Sequence, residues 1–325
     1  MEPDERVLLV KTLRQLAEAF DGAELTRALD GFGFADLLAQ SPHEAVSSLF
    51  TAMGRAGSTS AALQDVLALP LAGVAHEGAA GHSIVLPHIG APLAGTFEDE
   101  TLTLRGLVLG RRPSGAFLAP VGSEEGVVWV RPADQKALSC RVVAGLDSAL
   151  AITEVTTTGG RAEVVLAGEA AAESWHSVVA AGRRALGYQI VGAAGRMIEL
   201  AVDHARDRVQ FGHPIGSFQA VRHRLADAFV AREGAAAALE LAWEAEDEQL
   251  AGMLAKSLAG RAARIAATQC QQVLAGVGFT AEHSFHRFLV RATVLDAVLG
   301  SAGELPRAIG ARLVSTGAIP RLVQL

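Results

Sequence analysis

Apolar residues near the start of the chain recur at helical spacing: Val7, Leu8, Leu13, Leu16 and Phe20 trace a helix. Asp21-Gly22 reads as its stop, and a second helix fits Ala23–Leu29. Ser41-Pro42-His43-Glu44 predicts another start, with Pro42 at the first helical position and Ser41 as cap. Leu49, Met53, Leu63, Val66 and Leu67 carry short helices to about residue 70. The pattern then changes. Pro87, Gly90, Pro92, Gly95, Gly106, Gly110, Pro113, Gly115, Pro120 and Gly122 punctuate short runs with strand preference. Those runs are Thr101–Leu104, Gly126–Val130, Cys140–Val143 and Ala151–Val155, and Thr158-Gly159-Gly160 reads as a turn. From about Glu173 the helical period returns in four stripes. The first is Val178, Val179, Leu186, Ile190, Met197, Ile198 and Ala201; the second is Phe218, Val221, Leu225, Phe229, Leu239 and Trp243. The third is Leu250, Leu254, Leu258, Ile265 and Val273; the fourth is Phe285, Phe288, Leu289, Leu295 and Leu299. Long stripes need partners, so a bundle follows. The chain reads as α+β and mostly α, with a helical domain over 1–70, a β domain over 71–170 and a helical bundle over 171–325.

The 325 residues suffice for two or three compact units, and half of them are hydrophobic. A net charge of −7 without a basic run argues against nucleic acid as the main partner. Cys140 and Cys270 have no CxxC spacing, which suits a reducing cytoplasm rather than a disulfide framework. No signal-type segment is expected at the N-terminus, and no apolar run is long enough to predict a membrane span; the richest stretch, 185–202, contains Arg196 and Glu199.

One segment carries more than packing. In residues 204–227, Phe211-Gly212-His213-Pro214 breaks one long helix before the next, with Gly212 as a helix end and Arg206 and Arg208 in the outgoing last turn. Bundle packing alone would accept any helix–turn–helix corner here. The combination of Arg208, Phe211, Gly212, Ile215, Gln219 and Asp227 closely resembles the acyl-CoA dehydrogenase signature, an Arg-x-x-Phe-Gly turn with a Gln eight residues after the Phe. A second segment, 271–280, resembles that family's Gln-x-x-Gly-Gly-x-Gly turn through Gln272, Gly276 and Gly278, with Ala275 in place of the first Gly. Gly145-Leu146-Asp147-Ser148 followed by Val155 looks like the end of the family's β domain. The resemblance implies N-terminal helices, a small β-barrel or sandwich in the middle and a C-terminal four-helix bundle. It also implies FAD as cofactor, reached across a subunit interface by Arg208, Gln210, Phe211, Gln219, Gln272 and Gly276. An arginine fork suits pyrophosphate oxygens, a phenyl ring suits a nucleotide face, and glycine permits close backbone approach.

The implied reaction is α,β-dehydrogenation of an acyl-CoA thioester, which needs a carboxylate to remove the α-proton. The position usual for that base is Leu299, just before Gly300; the minority position is Gly182, beside Arg183. Neither residue takes a proton. Asp296 and Glu304 are the nearest replacements. Thr-Glu-Pro…Gly-Ser-Asp and Trp-x-Thr segments are missing from the middle, and Ile152-Thr153-Glu154-Val155 matches only superficially. Three readings stay open. In the first, the chain completes the FAD site of a homologous, base-bearing subunit in an α2β2 heteromer of the actinobacterial, steroid side-chain type, with an acyl-CoA substrate and an electron-transfer acceptor. In the second, it is self-sufficient through Asp296 or Glu304. In the third, it is an interaction protein that kept the fold and lost FAD.

Other motifs are weaker. Glu282, His283 and His286 lack a third metal ligand and an HExxH pattern, so a helix-entry cap is expected and no metal. His204, His213 and His223 flank the arginine-rich corner, where His213 could touch a phosphate. No GxSxG elbow, P-loop or GxGxxG after a strand occurs. Trp129, Trp175, Trp243 and Tyr188 read as packing residues.

Overall fold

A computed structural model of the chain describes residues 2–73, 81–110, 116–280 and 282–317; Pro113 and Gly115, among the expected turn residues, lie outside them. Five helices come first: α1 (Pro3–Ala19), α2 (Gly22–Phe32), α3 (Phe34–Gln40), α4 (Pro42–Ala56) and α5 (Ala62–Ala68). Asp21 ends nothing by itself; it caps α2, accepting from Gly22 N–H at 2.8 Å and from the Thr59 N–H and hydroxyl at 2.7 and 2.8 Å. The second helix therefore runs three residues longer at its C-terminal end than its apolar spacing predicts, and Gly33 (φ +83°) supplies the left-handed break before α3.

Nine strands follow: β1 (Ser83–Ile84), β2 (Leu86–Pro87), β3 (Gly95–Glu98), β4 (Thr101–Val108), β5 (Phe117–Ser123), β6 (Gly126–Pro132), β7 (Ser139–Val142), β8 (Thr153–Gly160) and β9 (Ala162–Leu166). They pair in the order β7-β8-β4-β3-β5-β6-β9, with β1 on β5 and β2 on β4. Alternate residues of these strands, among them Leu102, Leu104, Phe117, Val121, Val128 and Val155, enclose one apolar core with Val85, which lies between β1 and β2. Thr158-Gly159-Gly160 is not the expected turn. Leu102 faces Gly160 and Thr103 faces Thr158, so Gly159 (φ +77°) is the extra residue of a bulge, and the chain reverses at Arg161. The buried Gln64 on α5 closes this part of the structure by donating to the Leu109 carbonyl at 2.7 Å and accepting from Ile84 N–H at 2.7 Å.

The remaining elements are α6 (Gly168–Asp207), β10 (Val209–Gln210), β11 (His213–Pro214), α7 (Gln219–Leu241), α8 (Glu248–Leu274), α9 (Phe285–Ala297) and α10 (Leu305–Thr316). The boundaries expected near 70 and 170 follow changes in secondary structure. Contacts group the chain differently, into two compact units: 1–20, 43–58 and 183–325 form one, and 21–42 with 59–182 form the other. In the first unit, α4 and α6 cross at small residues. A Cβ on Gly54 would overlap the Gln189 carbonyl, and one on Gly192 would overlap the Thr51 carbonyl. The α8 core face is also small: Ala255, Ala259, Ala262 and Ala266 are buried, whereas Leu258 of the expected stripe is 38% exposed. In the second stripe, Leu239 is buried but Phe218 and Phe229 are exposed. Their burial was expected; among the described residues, Phe218 at the N-cap of α7 and Phe229 within it stay uncovered.

Candidate functional site

α6 keeps Arg206 in its last turn but ends at Asp207, so Arg208 lies beyond the helix rather than in it. The break is a hairpin, not a glycine-ended helix. β10 and β11 pair across Phe211-Gly212, whose φ values are +54° and +80°, both positive as a type I′ turn requires. Ile215 N–H closes it on the Arg208 carbonyl at 2.8 Å. A phenylalanine at positive φ is strained, since its Cβ crowds the backbone there. Phe211 is 89% exposed, and its ring meets the edge of Phe218 at 6.3 Å between ring centroids. Arg208, Gln210 and Gln219 are exposed, and the Arg208 guanidinium has no side-chain or ionic partner among the described residues. Gln210 donates to the neighbouring Val209 carbonyl at 2.8 Å.

The second segment lies at the same end of the bundle. Arg224, near the start of α7, donates to Gln269, near the end of α8, at 2.8 Å, which brings Gln219 and Gln272 to one end. Burial and the charges of His283 and Arg208 hold the His204 imidazole below the ordinary value. α8 stops at Leu274, and a 3₁₀ turn runs from Ala275 to Phe279. Gln271 donates to the Gly278 carbonyl at 3.3 Å, while Gln272 and Gly276 face outward. A Cβ on Gly278 would come within 2.8 Å of the Leu274 Cβ, but one on Gly276 would meet nothing within 4 Å. Gly278 is thus needed for the fold of the turn, and Gly276 leaves open backbone. Ala275 adopts φ +53°, ψ −136°, a conformation natural to glycine. Ala275→Gly should relieve that strain and raise stability by about 1 kcal/mol, read as a higher melting temperature; an unchanged or lower one would contradict the strain.

At the position usual for a catalytic base, Leu299 (φ +58°) and Gly300 (φ +97°) form the loop between α9 and α10. Gly182 is buried in α6. Four charged groups hold the Leu299 loop. Arg183 donates to the Leu299 carbonyl at 3.0 Å, and its burial pulls the guanidinium down to about 10, still charged at neutral pH. Lys256, with no exposed surface, donates to the Asp296 and Gly300 carbonyls at 2.9 and 3.2 Å. The Asp296 carboxylate accepts from Ala302 N–H at 3.1 Å and lies 3.9 Å from the Lys256 ammonium. Glu304 accepts from the Ser301 N–H and hydroxyl at 3.0 and 2.9 Å, and these bonds hold its carboxyl below the ordinary value. Both carboxylates therefore serve the loop. A Cβ on Gly260 would overlap Asp296, so α8 also needs a glycine beside it. Sequence reasoning missed Lys256; its only signal was a lone cation in the apolar run Leu254-Ala255-Lys256-Ser257-Leu258.

Burial lowers the Lys256 ammonium to about 8 against an ordinary 10.5, with Asp296 opposing. Between those values the unfolded chain still holds the proton that the folded chain has released. The Lys256 contribution to stability therefore rises with pH across that window and is lost as pH falls through it. The stability of the protein relative to Lys256→Met should increase between about pH 8 and about pH 10; denaturant titrations at both pH values check this, and a flat or falling difference would contradict it.

Several other residues of the sequence patterns make contacts within the fold. Glu154 sits in β8 between Arg141 and Arg105, at 2.7 and 3.3 Å. His283 Nδ1 accepts from Phe285 N–H at 3.2 Å, as a cap at the entry of α9. His213 and His223 are exposed. Trp129 donates to Ser174 at 3.0 Å and packs edge-on against Trp175. Trp243 lies between the His43 ring and the Arg184 guanidinium and donates to Tyr188 at 3.2 Å. Cys140 is exposed and Cys270 buried, both free. Among the described residues no helix is long and apolar enough to cross a membrane.

The acyl-CoA dehydrogenase C-terminal domain family matches residues 174–314, which includes both exposed segments and the Leu299 loop. By that domain and by its fold the chain belongs to the acyl-CoA dehydrogenase family. Among curated proteins it is 33% identical over 230 residues to acyl-CoA dehydrogenase FadE34 of Mycobacterium tuberculosis, covering 67% of this chain and 30% of that one. It is 39% identical over 117 residues to acyl-CoA dehydrogenase IpdE2 of the same organism, covering 36% of each. With FadE27 of that organism it shares 30% identity over 69% of this chain and 64% of the relative. The chain thus spans less than two thirds of these relatives. Among solved structures, a chain of the ChsE4-ChsE5 complex from Mycobacterium tuberculosis superposes with a TM-score of 0.81 at 22% identity, covering 98% of this chain and 99% of that one. The Tcur3481-Tcur3483 steroid acyl-CoA dehydrogenase variant gives 0.80 at 19% identity, covering 97% and 99%.

Proposed function

We propose that this chain is a subunit of an FAD-dependent acyl-CoA dehydrogenase that completes the FAD site of a homologous, base-bearing partner, in an α2β2 assembly in the cytoplasm. The observation that carries the proposal is the asymmetry between the two sites. Arg208 and Phe211 are held outward at a strained hairpin, the guanidinium without an ionic partner among the described residues, while the place for a base holds Leu299 inside a fixed loop. The donor chemistry fits FAD in a neighbouring chain. Arg208 would grip the pyrophosphate with its fork and Phe211 would lie against the flavin nucleotide. Gln210, Gln219 and Gln272 would donate or accept amide hydrogen bonds, and the open backbone at Gly276 would admit close approach. FAD, when bound, supplies the acceptor for the β-hydride of the acyl-CoA, and an electron-transfer acceptor then collects the electrons. The partner's carboxylate would take the α-proton.

The exposed apolar residues of α7 support a partner, because Phe218 at its N-cap and Phe229 and Val230 within it are exposed. Solved structures with this fold include the two-component ChsE4-ChsE5 and Tcur3481-Tcur3483 proteins, the latter a steroid acyl-CoA dehydrogenase, which favours an acyl-CoA thioester of a steroid side chain as substrate. A self-sufficient enzyme fits less well, because Asp296 and Glu304 are both engaged by backbone N–H groups of the loop. Co-expression with an acyl-CoA dehydrogenase encoded beside this chain tests the proposal. A yellow complex that oxidises acyl-CoA, with this chain colourless alone, is expected. A yellow, active chain without a partner would establish the self-sufficient reading, and a complex without flavin would leave an interaction protein.

A further inference from the structure

A second polar site lies in the unit that contains the bundle. Arg14 and Glu18 of α1, Arg55 of α4, Arg196 and Glu199 of α6 and Arg287 of α9 line a cleft of about 490 Å³. Four guanidiniums face two carboxylates, which leaves two positive charges in a protein whose net charge is −7. The carboxylates are already shared: Glu18 pairs with Arg14 at 2.8 Å, and Glu199 with Arg55 at 2.6 Å and Arg196 at 3.2 Å. Arg287 has no carboxylate partner among the described residues; its fork rests on the Ala56 carbonyl at 2.7 Å and over the Phe288 ring. Ser284, at the start of α9, also lines the cleft, and its hydroxyl makes no cap bond. The positive end of a 13-residue helix thus adds to the same field.

We infer that this cleft binds an organic phosphate through a dianionic phosphoryl group. The excess of two positive charges matches one such group. Guanidinium forks on four helices suit its tetrahedral oxygens better than a single carboxylate would use them. The volume falls in the range of small-molecule sites and exceeds what a bare phosphate fills, so the phosphoryl group arrives on a larger body. Nothing in this site depends on Arg208, Phe211 or the Leu299 loop, so it stands apart from the proposed role in FAD binding.

Calorimetry on the full chain, alone or in its complex, tests the inference with adenosine 5′-monophosphate as probe and adenosine as control. Binding of the monophosphate with no binding of adenosine is expected. Arg55→Gln with Arg196→Gln should weaken it by about tenfold or more, since each charge-assisted bond lost counts for at least that much. Arg14→Gln, at a residue already half exposed to solvent, provides a variant that leaves the fold intact and should weaken binding by about threefold. Coenzyme A and its form without the 3′-phosphate separate a thioester carrier from a free nucleotide as the source: loss of affinity without that phosphate assigns the carrier. Equal binding of adenosine, no binding of the monophosphate at about 1 mM, well above its expected dissociation constant, or unchanged affinity in both variants would overturn the assignment.

Discussion

Arg208→Ala in this chain should strip the assembled enzyme of most of its FAD although every group of the partner is intact. Arg208 immediately precedes the two-residue strand β10, where the hairpin closes on its carbonyl, and its guanidinium has no side-chain or ionic partner among the described residues. A charge-assisted pair to a pyrophosphate is worth about 1.5–3 kcal/mol, so the affinity should fall by one to two orders of magnitude. Activity should return with excess FAD, because the substitution removes a grip and leaves the reacting atoms alone. Arg208→Lys should recover only part, since an ammonium keeps the charge and loses the fork. Phe211→Ala should act in the same direction by removing the ring, and it leaves the strain of the turn in place, because alanine keeps the Cβ at φ +54°. Flavin absorbance of the purified complex, before and after dialysis against FAD, reads all three. Full retention of FAD in Arg208→Ala would contradict the assignment of this corner.

Arg291→Met should destabilise the chain by about 3–5 kcal/mol, which lowers the melting temperature by roughly 10 °C. Arg291 has no exposed surface and donates to the Gly57 and Ser58 carbonyls at 3.0 and 3.1 Å, beyond the last turn of α4. One turn earlier on α9, Arg287 donates to the Ala56 carbonyl. The two arginines together close the negative end of α4, where helix carbonyls have no partners of their own. Methionine fills the volume but leaves those carbonyls buried and unpaired, and that loss dominates. Arg287→Met should cost less than half as much, because its site is open to water. A calorimetric melt of both variants would settle the order, and equal losses would contradict it.

How far the sequence could be read follows from the type of contact involved. Alternating strands and long helices were legible because their burial repeats with a fixed period, as in Leu102, Leu104 and Val155. The bundle's small faces were not. Ala255, Ala259 and Ala262 carry the closest approach of α8, yet the leucines beside them dominate any reading by hydrophobicity, and Leu258 is exposed. Arg291 shares a face with Phe288 and Leu295, so its burial had a signal in the helical spacing. The Gly57 and Ser58 carbonyls it bonds lie more than two hundred residues away, and no local pattern points to them. The exposed corner was legible as a motif, while its hairpin geometry was not: Phe211-Gly212 looks like a helix stop unless a phenylalanine at positive φ is admitted. The same applies to Ala275, whose glycine-like backbone only the structure reveals.

The ratio of FAD to polypeptide in the purified complex, from flavin absorbance and native mass spectrometry, tests the central claim most directly. A subunit that lends Arg208 and Phe211 to its neighbour and has no base of its own predicts one FAD for every two chains, with none on this chain when it is isolated. One FAD per chain, or a stable flavin on this chain alone, would contradict it.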